Sequence, residues 1–239
     1  MILKDISLST PQENILYDDL LLELADEGLG GEVLRFWESQ EYFIVLGRIG
    51  KEADDIKMDA AQRDKIPIIR RTSGGGTVLQ GRGCLNFSFI LSKDPNQDLQ
   101  DIKKSYQIIL SPVVSALNNI GMDAVLMLPS DIALRDENKK ISGNAQKRGK
   151  RFILHHGTIL YDFDLELIER YLTIPHEIPQ YRLGRTHTDF LTNLYISQEQ
   201  IKESIIKSFP IVQKEDVLSA EEEIRLAQRL RDQNITVRI

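Results

Sequence analysis

Arg70-Arg71-Thr72-Ser73-Gly74-Gly75-Gly76-Thr77-Val78, followed by the alternating run Cys84-Leu85-Asn86-Phe87-Ser88-Phe89-Ile90-Leu91, decides how this chain is read. Ile66 to Arg71 has strand composition and ends at three adjacent glycines. Without side chains, these glycines leave backbone N–H groups unscreened and allow close approach to a phosphate. Arg70 and Arg71 alternate in direction on a strand, so at most one faces the same site as the loop. From the triplet alone, a plain glycine-rich hairpin turn is an equal reading. It is neither a Walker A loop, since no Gly-Lys-Ser/Thr follows, nor a G-x-G-x-x-G dinucleotide loop. In the run behind it, Leu85, Phe87, Phe89 and Leu91 define an apolar face, with Asn86 and Ser88 on a polar one.

Working outward, Thr10-Pro11-Gln12-Glu13 is a capping box with proline at the first helical position. It predicts a helix through Ile15, Leu16, Leu20 and Leu24 to about Ala25, ended by Gly28, Gly30 and Gly31. Glu32–Trp37 and Tyr42–Leu46 read as short strands that could form a hairpin. A long helix is expected from about Leu99 to Ile120, with Pro112 as a kink. Val125–Leu128, Ile132–Leu134, Lys139–Gln146 and Phe152–Tyr161 suggest an antiparallel meander with turns at 136–138 and 147–149. The remainder is more helical, with Ser219 and Glu222 repeating the capping-box signature before a helix to about Arg231 and weak strand signals at the very end. Strands and helices that segregate in this way indicate α+β.

The chain has 239 residues, 41% hydrophobic and 28% charged, the composition of an ordinary globular protein. One domain is the simpler expectation. No apolar stretch is long enough to span a bilayer, and Met1–Gln12 lacks a signal-peptide layout, so no membrane role and a cytoplasmic location are expected. A net charge of −6 offers no basic field for nucleic acid. With one cysteine, Cys84, an internal disulfide is excluded and a cysteine-built metal site is disfavoured.

Two further segments carry chemistry. Lys139-Lys140 precede the small polar cluster Ser142-Gly143-Asn144, where a lysine could bring a point charge to a substrate oxygen. His155-His156-Gly157-Thr158 lies in an apolar strand, so the two imidazoles point to opposite faces and cannot share one metal. Core or hydrogen-bonding histidines are the expected reading, and Cys84, within an alternating strand, reads as an inert buried thiol.

Taken in order, these segments resemble the lipoate-protein ligase branch of the biotin/lipoate ligase family, from about Gly31 to Asn193. The resemblance is carried by Leu34-Arg35-Phe36-Trp37, Gly47-Arg48, 70–78, Gly83–Ser88, Asp131-Ile132, Lys140–Gln146, His155–Leu160 and Asn193-Leu194. It implies a class II synthetase-like α+β domain, with a mixed, mostly antiparallel sheet flanked by helices. It also implies ATP-dependent activation of lipoate, or octanoate, to an acyl-adenylate and transfer to a lysine of a lipoyl domain. Such domains occur on E2 subunits of 2-oxoacid dehydrogenases and on the glycine cleavage H protein.

Lys140 takes the family's catalytic position. Arg71, Ser73, Gly74, Gly75, Gly76, Thr77, Asn86, Asp131, Ser142, Gly143, His156, Gly157 and Thr158 are implied to hold substrate or adenylate. Trp37, Val45, Val78 and Phe87 are candidates for the acyl-chain wall. Mg²⁺ is expected to travel with ATP rather than sit in a dedicated protein cage, with Asp131 as a candidate contact.

Ligases of this family commonly carry a C-terminal accessory domain. Residues 195–239 are too few for one, so 1–239 is expected to be a single catalytic domain with a short helical tail at about 197–239. Either a separate accessory subunit completes the enzyme or this short form acts without one. Sister octanoyltransferases use no ATP and pass the acyl group through a cysteine in the loop before the lysine motif. Here that loop reads Leu128-Pro129-Ser130-Asp131-Ile132, without cysteine. A transferase without a thioester, or a non-catalytic subunit that binds lipoate or a carrier domain, are the alternatives.

Overall fold

The computed structural model describes residues 1–94, 97–175 and 178–232. After strand β1 (Ile2–Asp5), helix α1 (Pro11–Glu27) starts at the capping box. The Thr10 hydroxyl accepts the Glu13 N–H at 3.2 Å, and the Glu13 carboxylate accepts the Thr10 N–H at 2.8 Å. Gly28, at φ 81°, ends the helix in the left-handed conformation that only glycine adopts at little cost.

The chain continues through β2 (Val33–Trp37), β3 (Phe43–Leu46), α2 (Glu52–Asp55), α3 (Met58–Arg63), β4 (Ile68–Arg70), β5 (Val78–Gln80) and β6 (Cys84–Ser92). A 3₁₀ turn at Gln97–Gln100 leads into α4 (Ile102–Asn119), which carries Pro112 in its interior. The meander follows as β7 (Ala124–Met127), β8 (Asp131–Leu134), β9 (Lys139–Arg148) and β10 (Phe152–Leu160). Then come α5 (Leu165–Tyr171), α6 (His187–Phe190), α7 (Gln198–Lys207), β11 (Gln213–Glu215) and α8 (Ala220–Asp232).

The described residues form a large sheet in the order β11-β1-β2-β6-β10-β9-β8-β7 and a small one in the order β4-β3-β5. The β11, β1 and β2 strands run parallel, and the pairs from β2 to β7 are antiparallel. This is the mixed, mostly antiparallel α+β arrangement expected from the sequence.

Alternation along the strands divides the interior. Leu34, Phe36, Phe87 and Phe89 face α4 and α7, joining Leu110, Val113, Ile201 and Ile205 in one core. On the other face, Val33, Ile90 and Leu154 meet Leu20 and Leu24 of α1 and Leu226 of α8. The last two helices are therefore built into the same cores as the sheet. A fully buried leucine such as Leu20 contributes about 1.5–3 kcal/mol relative to an exposed one.

One expectation is corrected. β2 and β3 do not form a hairpin: both edges of β2 are taken by β1 and β6, so the chain leaves the large sheet after Trp37 and β3 pairs with β4 and β5. The polar face of β6, read as such from the sequence, is buried at Asn86 and Ser88, and the Ser88 hydroxyl donates to Asp18 of α1 at 2.6 Å. The strand signals at the chain's end fall on 233–239, outside the described residues, while β11 escaped the sequence reading because Gln213-Lys214-Glu215 shows no apolar alternation.

Candidate active site

Lys140 owes its direction to a β-bulge. Asp131 pairs with Gly143 and Ile132 with Ser142, but Ala133 pairs with Lys140, so Ile141 is an extra residue on β9. Such an insertion re-aims the neighbouring side chains. Lys140 consequently lies across Gly143, where an added Cβ would come within 2.8 Å of its Nζ. A side chain at 143 would push the end of Lys140 from this position. There the Lys140 ammonium meets the Asp131 carboxylate at 2.8 Å, and the Tyr181 hydroxyl donates to the other Asp131 oxygen at 2.9 Å. The Thr192 N–H bonds the Lys140 carbonyl at 3.1 Å and holds the backbone.

The triple-glycine bend is organised from inside by Arg71. Its Nη2 donates to the Gly74 and Gly76 carbonyls at 2.7 and 2.8 Å, and its Nε donates to the Ser73 hydroxyl at 3.0 Å. The guanidinium binds the loop's own carbonyls, which turns the Gly75 and Gly76 backbone outward. Burial pushes its pKa down to about 10, still charged at neutral pH. Gly75 sits at φ 85°, and its carbonyl rests so close to Gly47 that any side chain there would collide with it. Arg70 points elsewhere, donating to the Gly47 and Gly50 carbonyls at 3.1 and 2.7 Å. Thr72 and Thr77 tie the loop's ends to Asp19 and Asp55, each at 2.6 Å.

Between this bend, the small sheet and β6, β9 and β10 lies a cavity of about 400 Å³. Arg71, Gly75, Gly76, Thr77, Asn86, Asp131, Lys140, Gly143, His156, Gly157 and Thr158 are on its wall, and so are Trp37, Val45 and Val78. Though as distant in sequence as Trp37 and Thr158, these groups converge because β6, β10 and β9 are neighbouring strands of the large sheet and β5 of the small sheet meets them at the cavity. The apolar end is formed by Ile15, Trp37, Val45 and Val78, which pack with Phe43 and Ile69. The Trp37 indole N–H faces Asp18 at 3.4 Å, and Asp18 is paired with the fully buried Arg35 at 2.6 Å.

His156 Nε2 lies 2.7 Å from the Ser73 hydroxyl, which links β10 to the glycine bend. Burial, with the Arg71 charge adding to it, pushes the His156 pKa down to about 3. His155 is buried on the opposite face between Gln146 and Asn144, at 3.1 and 3.3 Å, and burial holds it neutral with a pKa of about 3. The two rings do point apart. Cys84 is buried off the cavity wall, and burial pushes its thiol up to about 12, so it is no nucleophile.

Four residues named from the sequence stand behind the wall. Ser73 and Gly74 hold the bend together as partners of His156 and Arg71. Ser142 accepts from the Asn144 amide at 3.1 Å. Phe87 belongs to the main core, its ring lying 2.7 Å from where a Gly157 Cβ would sit. It faces α4 because its parity on β6 is that of Leu85 and Phe89.

Sequence reasoning missed Ile15, Asp18, Gln80, Ser130, Ile178, Arg182 and Phe190, all on the wall. The segment around Arg182 has no periodicity or motif that could have marked it. Among the described residues, no group of three or more His, Cys, Asp or Glu could hold a metal, and no helix is long and apolar enough to cross a membrane. A second hollow of about 430 Å³ lies on the far side of Trp37, with its Glu38 held by Tyr161 and Gln198.

The family model described as lipoyl protein ligase A/B catalytic domain matches residues 10–210. The octanoyltransferase LipM of Geobacillus kaustophilus is 28% identical over 252 residues, covering 91% of this chain and 89% of its own. Lipoate-protein ligase LplJ of Bacillus subtilis is 32% identical over 156 residues, covering 65% of this chain but only 44% of its own length. The chain thus spans less than half of that ligase and most of the transferase. Among solved structures, a lipoate-protein ligase A bound with ATP superposes with TM-score 0.78 at 25% identity, covering 98% of this chain and 95% of that one. The bipartite lipoate-protein ligase of Thermoplasma acidophilum superposes with TM-score 0.83 at 24% identity over 99% of this chain and 93% of that one, a likeness of fold.

Proposed function

From the premise that this chain belongs to the lipoyl protein ligase A/B catalytic-domain family, we propose that it is an ATP-dependent lipoate-protein ligase. Its substrates are lipoate or octanoate, ATP with Mg²⁺, and a lipoyl domain of an E2 subunit or of a glycine cleavage H protein. The observation that carries this reading is the convergence of one lysine, the Gly75-Gly76 backbone and an apolar end on a single cavity.

In the first step the acid's carboxylate oxygen attacks the α-phosphorus, and the bond to the β,γ-phosphates breaks with release of pyrophosphate. Charge accumulates on phosphoryl oxygens, where the Lys140 ammonium and the outward-facing glycine backbone stabilise it. Bound with the triphosphate, Mg²⁺ supplies further charge neutralisation. Asp131 fits beside it as a wall carboxylate whose oxygens each already accept one hydrogen bond, from Lys140 and from Tyr181. In the second step the acceptor lysine's amine attacks the acyl carbonyl. AMP leaves, an amide forms, and the same ammonium meets the oxyanion. Trp37, Val45 and Val78 form the acyl-chain wall.

The LipM relatives favour a second reading, transfer of octanoyl from a thioester donor without ATP. Against a cysteine-linked route stands the loop at 128–132, where Ser130 faces the cavity and Cys84 is buried elsewhere. The single-domain organisation over 1–239 and a cytoplasmic setting belong to the same proposal. Mass spectrometry of a lipoyl domain incubated with this protein, Mg²⁺ and each acid tests it. A mass increase that requires ATP is the expected result. Modification only from an octanoyl thioester, with ATP irrelevant, makes the protein a transferase instead.

A further inference from the structure

Arg182 stands on the cavity wall and is only 3% exposed. Its Nε donates to the Arg185 carbonyl at 2.9 Å, and its guanidinium lies 4.9 Å from the Phe190 ring centroid, so the plane is fixed in place. Its Nη2 is buried and, among the described residues, has no hydrogen-bond partner.

The other two buried arginines on the large cores and the bend differ. Arg35 reaches Ile6, Asn14 and Asp18, and Arg71 reaches Ser73, Gly74 and Gly76. A guanidinium cannot shed its charge, so an unmet buried donor calls for an acceptor from outside the chain. Burial lowers the Arg182 pKa, opposed by Glu169, without removing that charge.

Two ligand anions enter such a cavity, a carboxylate and a phosphate chain. The carboxylate loses its charge on activation, whereas phosphate stays anionic throughout. Charge balance points the same way. Lys140 is paired with Asp131, which leaves that couple neutral, and His156 is held neutral. Arg71 uses its donors on the glycine bend, so Arg182 is the buried guanidinium with a donor left for a polyphosphate, beside what Lys140 and the Mg²⁺ of the triphosphate supply. The Tyr181 hydroxyl on Asp131 seats the next residue, Arg182, at the same end of the cavity as Lys140.

We infer that Arg182 binds the nucleotide's phosphate chain, at the part that departs as pyrophosphate. This rests on the ATP-dependent reading above. The test compares wild type, Arg182→Gln and Arg182→Lys in two assays: ATP-driven pyrophosphate release with lipoate, and acyl transfer to a lipoyl domain from preformed lipoyl-adenylate. Arg182→Gln is expected to lower kcat/KM for ATP by roughly tenfold to a hundredfold while transfer from the adenylate stays within about twofold. Arg182→Lys keeps the charge over Phe190 without the fork. It is expected to fall between the two, and it carries the test if the glutamine variant does not fold.

Equal losses in both assays, or an unchanged ATP step in both variants, overturn the inference while leaving the ligase reading in place. No ATP-dependent product from wild type, with either acid, overturns both.

Discussion

At the scale of single residues, Lys140 shows how much function depends on what surrounds a side chain. The same lysine on an unbulged strand would follow the ordinary alternation, and a residue larger than glycine at 143 would displace its ammonium. Replacing Lys140 with alanine is expected to raise the barrier to adenylate formation by about 2–4 kcal/mol, the effect of losing one preorganised charge-stabilising group. Pyrophosphate release against time measures it. The variant should still fold, with some loss of thermal midpoint because Asp131 loses its ion-pair partner; normal turnover would remove Lys140 from the mechanism. Its legibility in the sequence was indirect. Lys139 and Lys140 are indistinguishable by composition, and the choice between them came from the resemblance rather than from spacing.

At the scale of elements, the glycine bend and α1 are the parts that shape the cavity. Gly75 has a left-handed φ of 85°, and a Cβ there would lie 3.0 Å from the Arg71 Nη2. Gly75→Ala is therefore expected to cost about 1–2 kcal/mol of backbone strain and to displace Arg71 from the loop carbonyls. The KM for ATP should rise more than the melting temperature falls, and the two measured side by side check this. A fall in stability with an unaltered KM would mean that the bend does not touch the nucleotide.

Helix α1 reaches the cavity through Asp18, which joins Arg35, Ser88 and Trp37. Asp18→Ala leaves the Arg35 charge buried without its partner. The expected loss is about 3–5 kcal/mol by urea denaturation. Trp37 is the chain's single tryptophan, so its fluorescence should report the loosened wall directly. An unchanged emission spectrum in a folded variant would show that Asp18 does not position it.

For the whole molecule, pH couples to folding through His155, which is buried, and His156, which is half-buried on the cavity wall. His155 and His156 have pKa values held near 3, against about 6.5 in an unfolded chain. The unfolded state then binds more protons than the folded one between those limits. Stability from these two groups is fully present above about pH 6.5 and is lost as pH falls towards 3. Urea midpoints at pH 7.5 and pH 5 should show the decline, and NMR of the imidazole protons should show both rings still neutral at pH 5. Protonation of either ring in the folded protein near pH 6 would contradict this.

The sequence alone was enough for what is governed by neighbours along the chain. The Thr10 capping box, the four-stranded meander, the long helix around Leu110 and the glycine bend all follow from short-range periodicity and turn chemistry. Only the tertiary structure decided matters settled between distant segments. It sent β2 and β3 to different sheets, tied Ser88 to Asp18 of α1, and placed Phe87 in the core behind the wall. It also brought Arg182 onto the same cavity wall as Lys140 and Gly75, from a stretch with no pattern of its own. The reason is physical: capping and alternation depend on energies between residues a few positions apart. Which face is covered, and which buried charge lacks a partner, depends on contacts that exist only once the sheets and helices have closed over one another.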